Sequence, residues 1–97
     1  MPVRRVQPDD LRREFRNQRI PERLADGSLW SLVKSEKVPS PPLAHEPPGT
    51  KSQIIYVYEG IQKVAVMHRY LRPDGTIGAS GQPDPKRLVV EGDVWYV

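Results

Sequence analysis

The chain of 97 residues has no cysteine. That excludes a disulfide framework, a thiolate metal site and a cysteine nucleophile, and it fits a reducing compartment. Histidine is nearly as scarce, with only His45 and His68. No H-E-x-x-H or related spacing is present, so no metal site and no cofactor is expected. Neither GxGxxG nor GxxxxGK[ST] occurs, and no serine sits in a G-x-S-x-G elbow. No apolar run approaches the roughly 20 residues of a membrane-spanning helix. The opening MPVRRVQPDDL is basic but lacks the apolar segment of a secretory signal. These absences lead us to expect a soluble, cytoplasmic protein with no membrane partner. With 37% hydrophobic residues, one small domain is expected, with a narrow stability margin and little room for a large buried site.

What the chain does have is an uneven charge distribution. Residues 1 to 23 hold seven arginines and four acids, a net of +3, and residues 24 to 97 hold eight basic and eight acidic side chains, a net of zero. The whole formal excess of +3 therefore lies at the N-terminal end, and all of it is arginine. The planar guanidinium bonds two oxygens of a phosphate or carboxylate at once. An acidic partner is one reading; an ordinary solvated face is the other.

PDDLRREFRNQR, residues 8 to 19, reads as a helix. Pro8 suits a first helical position, Asp9 and Asp10 then lie in the first turn, and arginines follow, as the helix dipole favours. Leu11 and Phe15 form a narrow apolar stripe, which must dock or the helix frays. Arg12, Arg16 and Arg19 share a neighbouring stripe. Pro21 ends this helix and opens another turn. SLWSLV, residues 28 to 33, is apolar and suits either a strand or a helical turn. Trp30 is expected to face the core and anchor the N-terminal part on the sheet. Residues 38 to 48 contain five prolines and read as an extended connector.

From residue 53 the pattern is β. QIIYVYEG and IQKVAVMHRYL, then KRLVVEG and DVWYV, form two hairpins with expected turns at Glu59-Gly60 and Glu91-Gly92. A turn at Glu59-Gly60 places Ile55 opposite Val64 and puts Ile55, Val57, Val64, Val66, His68 and Tyr70 on one face. Both faces are largely apolar, so cover on both sides is expected. In the second hairpin, Lys86, Leu88, Val90, Trp95 and Val97 share one face, and Arg87, Val89, Val94 and Tyr96 the other. The expected class is α+β: a helical part (1 to 37), a proline-rich connector (38 to 50), and a small, mostly antiparallel four-stranded sheet of two hairpins (51 to 97).

The stretch MHRYLRPDGTIGASGQPDPKRL, residues 67 to 88, concentrates chemistry. Alternation puts His68 beside Tyr70 and opposite to Arg69. Arg72-Pro73-Asp74-Gly75 has the chemistry of a turn and needs no function to explain it. The backbone of TIGASG could form an anion nest. His68 titrates near neutrality and could act as a general acid or base, with Tyr70 as a hydrogen-bond donor and Lys86, Arg87 and Arg72 on a phosphate. That set suits metal-independent RNA cleavage through the 2′-hydroxyl. A strand histidine packed under a loop is the plainer account. Four tyrosines and two tryptophans could also offer stacking surfaces beside basic groups.

The favoured functional expectation is a non-enzymatic binding or accessory domain. It would engage a protein or nucleic acid through Arg12, Arg16 and Arg19, or through Arg72 and Arg87 in and beside the 72 to 87 loop. The alternatives are a ribonuclease using His68, Tyr70 and Lys86, and an assembly protein that forms homodimers by pairing the C-terminal strand at a sheet edge.

Overall fold

A computed structural model of the chain describes residues 2–38, 45–78 and 81–97. Among these, two helices and one mixed sheet make an α+β fold. The elements are β1 (Val3–Arg5), α1 (Pro8–Asn17), α2 (Ile20–Ala25), β2 (Trp30–Lys37), β3 (Lys51–Glu59), β4 (Gln62–Leu71), β5 (Asp84–Val90) and β6 (Asp93–Tyr96). The sheet has six strands in the order β1-β6-β5-β4-β3-β2, not four. The two expected hairpins form its centre, and each edge gains a strand from the N-terminal part. At one edge β2 runs antiparallel to β3, which decides SLWSLV as the start of a strand. At the other, β1 runs parallel to β6. The Val6 N–H donates to the Tyr96 carbonyl at 2.8 Å, and the Val94 N–H to the Pro2 carbonyl at 2.8 Å. The C-terminal strand is therefore internal, and a homodimer cannot form by pairing it while β1 is in place. The free edges are β1 and β2, and β2 carries a ladder irregularity at Lys34, a feature that discourages edge pairing.

α1 starts at Pro8, with Asp9 and Asp10 in its first turn and Arg16 in its last, as its sequence dictates. Arg19 takes a left-handed backbone, φ 55°, between the helices. Leu11, Phe15, Ile20 and Leu29 are buried against Ile55, Val57, Ala65, Met67, Leu88 and Val90. Both helices thus cover one face of the sheet. The expected cover on both sides does not occur among the described residues.

The first hairpin departs from the expected register. Glu59 pairs with Gln62, so Gly60 and Ile61 form the turn, and Ile55 pairs with Met67. Ile61 is fully exposed. The register shifts between Val57 and Tyr58, and Val64 is the extra residue. This arrangement puts Val57 opposite Ala65 and Ile55 opposite Met67, and all four reach the core. It also moves His68 and Tyr70 to the face of Ile54, Tyr56 and Tyr58, away from Ile55 and Val57. The second hairpin pairs as expected, Leu88 with Trp95 and Val89 with Val94, around Glu91 (φ 50°) and Gly92 (φ 84°). Lys86 is an exception: it is the extra residue between Met67–Pro85 and Val66–Arg87.

Trp30 is a further correction. It is 48% exposed, while its neighbour Leu29 is 2% exposed. Alternation leaves no choice: with Leu29 in the core, Trp30 emerges on the other face. Of the proline-rich connector, residues 39 to 44 lie outside the described residues.

Candidate functional site

The face opposite the helices holds Trp30, Tyr56, Tyr58 and Tyr96, whereas Phe15 and Trp95 pack in or against the core on the helix side. Trp30 pairs with Tyr58, and Leu32 with Tyr56; Tyr56 pairs with Val66, Val66 with Arg87, and Arg87 with Tyr96. Cross-strand partners share a face, so one row runs over Leu32, Tyr56, Val66, Arg87 and Tyr96. The ring of Trp30 stacks on Tyr58 at 4.5 Å, 13° from parallel, and its indole N–H donates to the Gly60 carbonyl at 2.8 Å. Lys63 sits over the Tyr56 ring at 4.2 Å, Lys34 over the same ring at 5.9 Å, and Arg87 over Tyr96 at 5.9 Å. Between Lys63 and Arg87 lies a shallow depression of about 110 Å³ floored by Val66, Val89 and Val94.

Charge is segregated between the two faces. Of the strand carboxylates, Glu36 accepts from Gln53 and Glu59 from Arg23, both on the helix side. Asp93 pairs with the buried Val90, so it shares that side too. Asp84 is the exception: it pairs with His68 and shares the end of the open face. Beside Asp84, the open face carries Arg5, Lys34, Lys37, Lys63 and Arg87.

His68 lies at one end of this face. Its Nε2 is 2.7 Å from the Ser52 hydroxyl, and its ring meets Tyr70 edge-on at 4.7 Å. Burial chiefly, and then the Lys86 ammonium, hold its pKa below the usual 6.5; Asp84 pulls upward and Lys37 adds to the lowering. The ring is therefore neutral at pH 7. Asp84 accepts from Arg12 Nε at 3.2 Å and from Lys86 at 3.0 Å. Burial works to raise the Asp84 pKa, but the bond and charge of Lys86, with Arg12, outweigh it and lower the value.

The structure joins two sequence-level candidates that had no evident link. Arg12 and Arg16 of α1, His68 and Tyr70 of β4, and Asp84 of β5 line one cavity of about 350 Å³, with Phe15 at its wall. Lys86 adjoins it through Asp84. Arg19 does not line it. Arg87 stands on the open face. Arg72 is engaged elsewhere: its Nε donates to Glu46 at 2.7 Å and its Nη2 at 3.4 Å. The Glu46 side chain is only 5% exposed, so this pair ties the connector to the end of β4. Gly78 makes room for it, since a Cβ there would fall 2.7 Å from the Glu46 carboxyl carbon.

The 72 to 78 segment is a turn built by its own bonds. The Gly75 N–H donates to the Arg72 carbonyl at 2.9 Å, and the Thr76 N–H to Asp74 at 2.9 Å. The Gly78 N–H donates to the Tyr70 carbonyl at 2.8 Å and the Gly81 N–H to the Gly78 carbonyl at 3.1 Å. The amides suggested for an anion nest are thus already committed at Thr76, Gly78 and Gly81; Ala79 and Ser80 lie outside the described residues. No group of three or more metal-ligating side chains occurs among the described residues, and none of their helices is long and apolar enough to cross a membrane.

The aromatic row was the feature least visible in the sequence. Its signal was the pair Tyr56 and Tyr58 at strand spacing, but which face they joined depended on the register. Compared with known proteins, the chain matches no family model, no curated protein and no solved structure.

Proposed function

We propose that the protein is a non-enzymatic domain that binds single-stranded nucleic acid on the open face of its sheet. One observation carries this reading: the face without helices combines Trp30, Tyr56, Tyr58 and Tyr96 with Lys34, Lys37, Lys63 and Arg87, while Glu36, Glu59 and Asp93 lie on the other side. Bases stack on aromatic rings whatever their sequence, and cations track the phosphates. A protein partner has less support, because an interface core normally excludes lysine.

Fluorescence anisotropy with a labelled ten-nucleotide RNA and its DNA counterpart tests the reading. Binding at roughly 50 mM salt that weakens steeply by 200 mM is the expected result. No binding of either strand at the lower salt overturns it.

A second reading uses the cavity that joins His68, Tyr70, Arg12 and Arg16. A neutral His68 could take the proton of a 2′-hydroxyl as that oxygen attacks the adjacent phosphorus. A second group must then protonate the departing 5′ oxygen. We rank this second because the cavity lining holds no second imidazole to protonate that oxygen. RNA cleavage that persists in chelator and disappears in His68→Ala supports it; an intact RNA after incubation with the parent chain removes it.

A further inference from the structure

We propose that the cavity between α1 and the β4–β5 end of the sheet binds a terminal phosphomonoester of the bound strand. The inference rests on the nucleic-acid reading and adds a second, end-specific site to it.

Charge is the first argument. Arg12 and Arg16 stand one helical turn apart and both line the cavity. The carboxylate in its wall, Asp84, is already held by two cations, Arg12 at 3.2 Å and Lys86 at 3.0 Å. Arg12 is further shared with Asp9 at 3.0 Å. Arg16 makes no ion pair among the described residues. Arg69 also lines the cavity, so the four cations Arg12, Arg16, Arg69 and Lys86 against the two carboxylates Asp84 and Asp9 leave a net of two positive charges. A phosphomonoester carries about −1.5 to −2 near neutral pH, whereas a phosphodiester inside a strand carries one negative charge. The cavity's excess therefore matches an end phosphate better than an internal one.

Shape and surroundings agree. A volume of about 350 Å³ lies at the small end of ligand sites, roughly 300 to 1,000 Å³. It suits one nucleotide and excludes a folded partner. Phe15, His68 and Tyr70 supply flat, largely apolar walls for a sugar or base, and a neutral His68 adds no charge of its own. The site also continues the open face. His68 pairs with Ile54, two residues along from the Tyr56–Val66 pair, a step of about 7 Å. A strand stacked on Tyr56 that turns toward His68 meets the cavity with its end.

The test uses ten-nucleotide DNA, which has no 2′-hydroxyl and cannot be cleaved by transesterification. Three versions carry a 5′-phosphate, a 3′-phosphate or hydroxyls at both ends. Affinities are measured for the parent chain, Arg16→Gln, Tyr56→Ala and Lys63→Ala. We expect one phosphorylated end to bind at least about tenfold more tightly than the hydroxyl-ended strand, and which end it is identifies the polarity. In Arg16→Gln that ratio falls toward one. In Tyr56→Ala all three versions weaken together. Equal affinity of the parent chain for all three ends overturns the inference; if Tyr56→Ala still weakens them, the open-face reading survives it. An end preference that persists while Tyr56→Ala and Lys63→Ala change nothing supports the cavity and overturns the open face. An end preference that Arg16→Gln leaves intact also overturns the assignment to this cavity.

Discussion

The indole of Trp30 lies flat on the ring of Tyr58, with centroids 4.5 Å apart, on the side of the sheet that neither helix covers. Two large rings are held in register where water can reach them. A stack built before any ligand arrives reduces the ordering cost of binding. Trp30→Ala and Tyr56→Ala are each expected to weaken single-strand binding by about 1–3 kcal/mol. Trp30→Ala also removes the stack on Tyr58 and the indole bond to Gly60, so a loss of about 0.5–1.5 kcal/mol and a midpoint lower by several degrees are expected, with the chain still folded. Titrations of the variants followed by circular-dichroism melts check both statements.

Lys63 makes a separate prediction. Its ammonium sits over Tyr56, beside one of the rings proposed to stack on a base. Lys63→Ala should weaken binding of all sequences alike. It should also reduce the slope of log K against log salt by about 0.7, the value for one released counterion on a single strand. An unchanged slope would place the phosphates elsewhere.

The pH dependence follows from His68. Its folded-state pKa is lowered, chiefly by burial. In the window below about pH 6.5 the unfolded chain therefore binds more protons than the folded one, and stability rises with pH. The contribution is complete above pH 6.5 and is lost as pH falls through the folded-state value. Melts of the parent chain and His68→Asn between pH 8 and 5 should show a steeper loss in the parent. Ring NMR titration should find His68 below 6.5.

The docking of α1 rests on few side chains. Leu11 is 0% exposed and Phe15 6%. Leu11→Ala is expected to cost about 2–5 kcal/mol through lost burial and the cavity left behind. In a domain with only about 5–15 kcal/mol in total, that loss should sharply lower the urea midpoint. A change within experimental error would mean that α1 is not held by this contact.

Gly78 and the Arg72–Glu46 pair form one unit. Gly78→Ala places a methyl group against the Glu46 carboxyl, which must move away from Arg72. A lower thermal midpoint is expected for Gly78→Ala and for Arg72→Ala, with the double variant well short of the sum of the two losses. Additive losses would show that the glycine and the ion pair act independently.

Helix α1, the 72 to 78 turn and the second hairpin were legible in the sequence because their determinants are local. Pro8, Asp9 and Asp10 mark a helix start by themselves, and Pro73-Asp74-Gly75 marks a turn by itself. Strand alternation likewise put His68 with Tyr70 rather than Arg69 before any partner strand was known. The first hairpin was misread by one residue, since Glu59-Gly60 and Gly60-Ile61 are both acceptable turns at short range. Burying Val57 with Ala65 and Ile55 with Met67 in the core favours the second turn and the bulge at Val64. That choice depends on residues far away in the chain.

The same division holds for the candidate site. The amino-acid sequence by itself determined that the chemistry would be basic and aromatic, without cysteine, and that His68 and Tyr70 would stand together. Only the tertiary structure decided that β1 would cover β6, that Trp30 would emerge from the core, and that Arg12 and Arg16 would line a cavity with His68. Propensity and turn chemistry act over a few residues. Strand order, register and the face that a helix covers are set by burial among distant side chains, which no local pattern encodes.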